Sequence, residues 1–179
     1  MVKTHNDYRA KHNTPPLVGD SNLQKIAREL AQKFADLDQQ LVNQRRETQN
    51  LEHSKPDHLG HNVAIYSNPI SKFDDCDSKL NYWIILLSLH YIILIPPFLG
   101  FAREHAKIWY NENEKHEYTA EGSVDKTGHF TQMVWKNTTK IGCGLAISRT
   151  YTLFGVCNYS PEGNTGDFTL NVIDNTREL

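Results

Sequence analysis

Residues 128–138 read Gly-His-Phe-Thr-Gln-Met-Val-Trp-Lys-Asn-Thr and carry the best-placed reactive side chain of the sequence, His129. Phe130, Met133 and Val134 follow the three-four spacing of one helical face. His129 and Gln132, three apart, share another face. The spacing predicts a short helix glued to a core on one side, with an imidazole fixed on the other. Such a group suits acid–base work or metal ligation. Other reactive patterns are missing: no serine or cysteine in a recognisable nucleophile elbow, no phosphate-cradling glycine loop and no His-Glu-x-x-His helix. The paired acids Glu112-Asn113-Glu114 and Asp74-Asp75 lie in polar stretches and read as solvated. Of the nine histidines, His58, His105 and His116 have no partner that the sequence names.

The elements that must position His129 are legible in outline. A first helix runs over about 3–11 and ends at Pro15-Pro16. A second carries Leu23, Ile26, Ala27, Leu30, Phe34 and Leu37 on one apolar face, opened by Ser21 and Gln24 as a capping box. Residues 39–56 are polar, 62–67 form a short strand, and 102–113 form a helix with Ala102, Ala106, Trp109 and Tyr110 on its packed side. Residues 111–127 read as a polar surface loop. Strands at 141–148 and 153–159 make a hairpin around Arg149-Thr150, and a last strand lies near 168–172. Folding the hairpin brings Cys143 nearly opposite Cys157. That placement is compatible with a disulfide in a secreted chain or with two small buried thiols. Helices mixed with antiparallel strands give an α+β domain.

A chain of 179 residues suits a single domain with a proper core. A net charge of −2 excludes a nucleic-acid footprint, and Arg45-Arg46 reads as a solvated helix end. Three cysteines are too few for a disulfide-dense scaffold. No apolar leader is visible, and Val2 rules out a myristoylation signal. The sequons at Asn137 and Asn158 matter only in the secretory path.

Residues 81–101 are far more apolar than their surroundings. About 20 apolar residues span a bilayer, yet Ser88 and His90 interrupt the run and Pro96-Pro97 breaks a helix near its end. Three readings stand: an insertion or translated intron over about 76–101, a membrane segment tethering the protein through residues 83–99, or a buried element that enlarges the core. A true span would have to leave and re-enter one compact domain.

Residues 128–135 resemble the first signature of the CAP superfamily, which unites cysteine-rich secretory proteins, insect antigen 5, class 1 plant pathogenesis-related proteins and helminth venom-allergen-like proteins. Residues 157–164, Cys-Asn-Tyr-Ser-Pro-Glu-Gly-Asn, resemble its second signature, with Gly155 and Thr165 departing from the usual apolar residues. His5-Asn6-Asp7-Tyr8-Arg9 followed by Pro15-Pro16-Leu17 is similar to its opening helix. The resemblance implies one CAP domain over 1–179, interrupted at about 76–101, folded as a three-layer α-β-α sandwich with a central antiparallel sheet.

The family's cleft holds two histidines and two glutamates, so the resemblance implies that His53, His129 and Glu112 belong to it. The second glutamate, from a Gly-Glu-Asn segment, is replaced by His61 in Gly60-His61-Asn62. His53, His61 and His129 would then resemble the first shell of an open zinc site, with Glu112 orienting a water or a ligand histidine. The function implied is non-enzymatic binding of lipid, sterol or partner proteins, in host–pathogen or immune contact and with a membrane surface within reach. A metal-dependent hydrolase using the histidine-rich cleft is the alternative. The compartment implied is extracellular where a leader precedes the domain, and otherwise cytoplasmic or at the Golgi membrane.

Overall fold

The computed structural model describes residues 1–43, 59–67, 96–118, 126–149 and 152–174. His53, Cys76, Arg45-Arg46, Asp74-Asp75 and the apolar run up to residue 95 lie outside them. The described elements are α1 (Val2–Lys11), β1 (Val18–Gly19), α2 (Ser21–Asn43), β2 (Gly60–Ser67), α3 (Pro96–Asn111), a 3-10 turn (Glu112–Lys115), α4 (Gly128–Val134), β3 (Lys140–Ile147), β4 (Thr152–Ser160) and α5 (Phe168–Asn171).

Four strands form one sheet in the order β1-β3-β4-β2. β3 and β4 are an antiparallel hairpin, β2 runs antiparallel to β4, and β1 runs parallel to β3. The sheet is therefore mixed rather than purely antiparallel. One face packs on α2 through Ala27, Leu30, Phe34, Phe154 and Val156. The other buries Trp109, Phe130, Met133, Ile141, Cys157 and Tyr159 beneath α1, α3 and α4. The expected α-β-α layering follows, because each face of the sheet is apolar and each needs a helical cover.

Leu23, Ala27, Leu30 and Phe34 are buried on α2 as their spacing predicts, whereas Leu37 is exposed. The buried stripe continues through Ala31 and Ala35, small residues that let α2 lie close on the strands. A Cβ on Gly142 would overlap the backbone of Leu23 and Gln24, and one on Gly144 that of Ala27 and Arg28. The cap of α2 is Asp20 rather than Ser21. Asp20 Oδ1 accepts from the N–H groups of Asn22 (2.9 Å) and Leu23 (3.0 Å).

Three further expectations are corrected. Pro96 and Pro97 open α3 instead of breaking a helix, as proline's fixed φ and missing N–H allow in a first turn. Residues 168–171 are helical, not a strand. Asp167 caps them by accepting from the N–H groups of Thr169 (2.8 Å) and Leu170 (3.3 Å), while Phe168 packs edge-on against Trp135. Asn158 is fully buried in β4 on the α2 face, so it has no room for a glycan. Asn137 is exposed.

The hairpin has the expected register, Cys143 opposite Cys157, and the two are disulfide-bonded with Cα atoms 4.1 Å apart. No helix among the described residues is long and apolar enough to cross a membrane.

Gly144→Ala tests the α2–β3 contact. Because backbone rather than a mobile side chain occupies the space, the variant should lose about 1–3 kcal/mol in urea unfolding. An unchanged midpoint would contradict this packing.

Candidate functional site

α4 is short, and it is held at both ends by side chains from elsewhere. At its N-terminus Glu112 Oε2 accepts from the backbone N–H groups of His129 (3.0 Å) and Phe130 (3.1 Å). A carboxylate there satisfies open donors and faces the positive end of the helix. The other oxygen, Oε1, accepts from His129 Nδ1–H at 2.7 Å. The His129 ring stacks on Trp109, with centroids 5.8 Å apart and planes 11° from parallel. Glu112 follows α3 directly, so the end of one helix fixes both the start and the imidazole of another. His129 keeps 43% of its side chain exposed, against 22% for Glu112.

At the C-terminus of α4, Arg9 donates to the carbonyls of Met133 (3.0 Å) and Trp135 (2.9 Å) from Nη1 and to Thr138 (2.9 Å) from Nη2. Its Nε donates to Pro15 at 2.7 Å. Arg9 is fully buried, and desolvation lowers its pKa to about 10. The carbonyls at a helix end are where a cation is best placed.

Gln132 is buried rather than beside His129 in the cleft. Its Oε1 accepts from Gly163 N–H (2.9 Å), and its Nε2 donates to Thr138 Oγ1 (3.3 Å). Thr131 Oγ1 donates to Asn164 Oδ1 (2.6 Å), and Asn164 Nδ2 donates to Gly128 O (2.9 Å). The runs at 128–135 and 157–164, recognised separately in the sequence, are two halves of one clasp.

The third imidazole does not join this pair. Asn62 turns toward α4, where its Nδ2 donates to His129 O (3.2 Å) and Tyr159 Oη (3.1 Å). Val63 packs with α2 and Ala64 with the opposite core. Unbroken alternation along β2 sets His61 on the α2 side, opposite Asn158. The described residues contain no group of three or more His, Cys, Asp or Glu side chains placed to hold a metal. By that alternation His61 and His129 lie on opposite faces of the sheet, while His53, the remaining histidine of the zinc reading, lies outside the described residues. With Nδ1–H given to Glu112, His129 keeps Nε2 as its one ligating atom, and among the described residues no further ligands gather beside it, so no chemistry is routed through a metal.

A polar network that the sequence reading missed lies under α1. His5 and Arg9 of α1 and His12, which caps its C-terminus, stand at i, i+4 and i+7, and all three are fully buried. His5 Nδ1–H donates to Met1 O (3.0 Å), and its Nε2 accepts from Tyr159 O–H (2.8 Å). Tyr159 in turn accepts from Asn62. His12 repeats the pattern, donating to Ile173 O (2.8 Å) and accepting from Tyr110 O–H (3.1 Å). Both rings are thus bonded in the neutral form. Burial lowers the His5 pKa to about 4 and lowers that of His12 as well. Burial also raises the Tyr159 pKa, keeping its hydroxyl as a donor. The helical spacing of three basic side chains was the available signal. His116, unassigned in the sequence, bonds Thr127 Oγ1 at 3.1 Å, and His105 is buried on α3.

A groove of about 730 Å³ opens at the outer edge of β3, away from this cleft. Val2, Ala102, Leu145 and Val156 contribute apolar walls, and Gln24 and Arg28 of α2 a polar one.

Comparisons with known proteins agree with this architecture. A family model described as the cysteine-rich secretory protein family, CAP, matches residues 2–159. The human Golgi-associated plant pathogenesis-related protein 1 is 30% identical over 176 residues, covering 97% of this chain and 90% of its own length. Secreted protein RBT4 of Candida albicans is 31% identical over 169 residues; the match covers 92% of this chain but only 34% of that protein. Among solved structures, BmVAL-1 superposes with a TM-score of 0.60 at 23% identity, covering 97% of this chain and 80% of that one. NaASP2, solved with Zn2+, gives 0.59 at 20% identity, covering 97% and 83%. At these identities the structural likeness concerns the fold.

Two measurements test the site's supports. An unfolded imidazole titrates near 6.5, whereas folded His5 takes a proton only at about pH 4. Between those values the unfolded state binds more protons, so stability is full above pH 6.5 and falls as pH drops toward 4. His5 alone should account for about 3 kcal/mol across that window. Urea midpoints that stay level from pH 7 to 4.5 would contradict the neutral network. Arg9→Lys keeps the charge but not the fork of donors, and should cost about 3 kcal/mol or more in the same assay at pH 7. Wild-type stability in that variant would remove Arg9 from its anchoring role.

Proposed function

From the premise that the chain belongs to the cysteine-rich secretory protein (CAP) family, we propose that it is a non-enzymatic binding module whose ligand, a lipid or sterol or a segment of a partner protein, sits in the groove beside β3. The groove itself carries the reading. Its volume, about 730 Å³, lies in the range of small-molecule sites, and it joins apolar walls to a polar rim, as an amphipathic ligand requires. The Glu112–His129 pair supports a structural rather than a reactive role for the cleft, because the carboxylate spends both oxygens on α4 and on the ring. Cys143 and Cys157 are bonded to each other, so neither serves as a thiolate nucleophile. Their bridge favours an oxidising, secretory setting, in keeping with a relative named as a secreted protein.

The environment-sensitive dye 8-anilinonaphthalene-1-sulfonate tests the groove without presuming the natural ligand. Wild type should bind it. Ala102→Trp, with its fold checked by circular dichroism, should weaken binding about tenfold or more, which is about 1.4 kcal/mol. His129→Ala, outside the groove, should leave binding unchanged. Dye binding that ignores Ala102→Trp but is lost in His129→Ala would move the ligand to the cleft and overturn the proposal.

A further inference from the structure

Among the described residues, the floor of the groove is a sheet edge that β1 covers only in part. β1 pairs with β3 only through Val18 and Gly19, opposite Lys140 and Ile141. On that side Val18 N–H donates to Thr139 O and Asp20 N–H to Ile141 O, both at 2.9 Å. Asp20 then caps α2, and the chain leaves the sheet. Backbone polar groups point the same way every second residue, so Cys143 and Leu145 direct their N–H and C=O groups to the same outer side as Ile141. The Cα separation of 4.1 Å between Cys143 and Cys157 agrees, since such close pairs are those that exchange no hydrogen bonds with each other. Cys143, Gly144 and Leu145 line the groove.

The two walls differ in chemistry. On the face of Gly142 and Gly144 the groove meets Gln24 and Arg28 of α2. Arg28 is exposed, and among the described residues it has no ion-pair partner. Asp20, the acid at the groove's end, is already paired with Lys140 at 3.3 Å. On the face of Cys143 and Leu145 the groove meets Val2 and Ala102. A strand laid along β3 would send alternate side chains to these two walls.

We propose that the open edge of β3 takes an extended segment of a partner protein by strand addition, with acidic residues facing Arg28 alternating with apolar residues facing Val2 and Ala102. The inference rests on the reading of the groove as the binding site and names its occupant. Backbone pairing to Cys143 and Leu145 supplies the docking geometry, and the two walls supply the sequence preference. Charge complementarity selects the acidic partner, because Arg28 is a side-chain cation on the groove with no ion-pair partner among the described residues.

The probe is the capped peptide acetyl-Glu-Val-Glu-Val-Glu-Val-Glu-amide, titrated into the full chain and followed by amide hydrogen exchange. Binding should slow exchange at Cys143 and Leu145. Backbone N-methylation of residues of one parity should abolish binding, and of the other parity change it by no more than about twofold, since only one edge of an added strand faces β3. Arg28→Glu, an exposed change that leaves the fold intact, should weaken the peptide about fivefold and favour a Lys-Val counterpart. Loss of binding for both methylation patterns alike, or indifference to Arg28→Glu, overturns strand addition. If oleate and the anilinonaphthalene dye occupy the groove but the peptide does not, the peptide inference falls and the groove reading stands. If none of the three binds, both fall.

Discussion

The buried guanidinium of Arg9 is the joint on which the fold turns. It reaches from α1 to the loop at Pro15, to two carbonyls at the end of α4 and to Thr138 at the entry to β3. No carboxylate appears among these partners. The charge is held by carbonyl oxygens concentrated where a helix ends, which is where a cation offsets the dipole. Only arginine offers donors in several directions from one planar group. Removing it would leave carbonyls from three segments without partners in the core, a cost larger than one hydrogen bond.

That joint makes the cleft possible. α4 has seven residues, too few to be stable alone. Arg9 holds its last turn, Glu112 its first, and the Gln132–Gly163 and Thr131–Asn164 contacts clasp its flank. His129 is oriented as a consequence, between a carboxylate and an indole. The runs 128–135 and 157–164 pack together because each satisfies the other's buried polar groups. The same groups bind the cleft to the core and make it a rigid feature of the scaffold.

The opposite layer is built on close approach. Glycines on β3 and alanines on α2 let helix backbone and strand backbone meet, while β1 ends after two residues because Asp20 diverts the chain into α2. The cost of that early turn is a β3 edge left unpaired among the described residues, of a kind that proteins usually cover or blunt. Here it forms the floor of a groove between helices, with apolar and cationic walls, and the binding reading follows from that combination.

Sequence periodicity by itself determined much of this: the apolar face of α2, the packed side of α3, the amphipathic α4 and a hairpin with Cys143 against Cys157. These are local regularities, set by 3.6-residue and two-residue repeats that each segment carries alone. Tertiary structure decided what those repeats leave open. Alternation on β2 shows that His61 and Asn62 face opposite ways, but only the helices covering each side reveal that Asn62 meets His129 and His61 does not. The stripe of His5, Arg9 and His12 reads as a polar surface until carbonyls and phenols from distant segments close over it. The edge of β3, which β1 covers only in part among the described residues, is likewise invisible in the strand itself. It exists because a neighbouring strand stops short, and sequence patterns report which side of an element is apolar, not which partner will be missing.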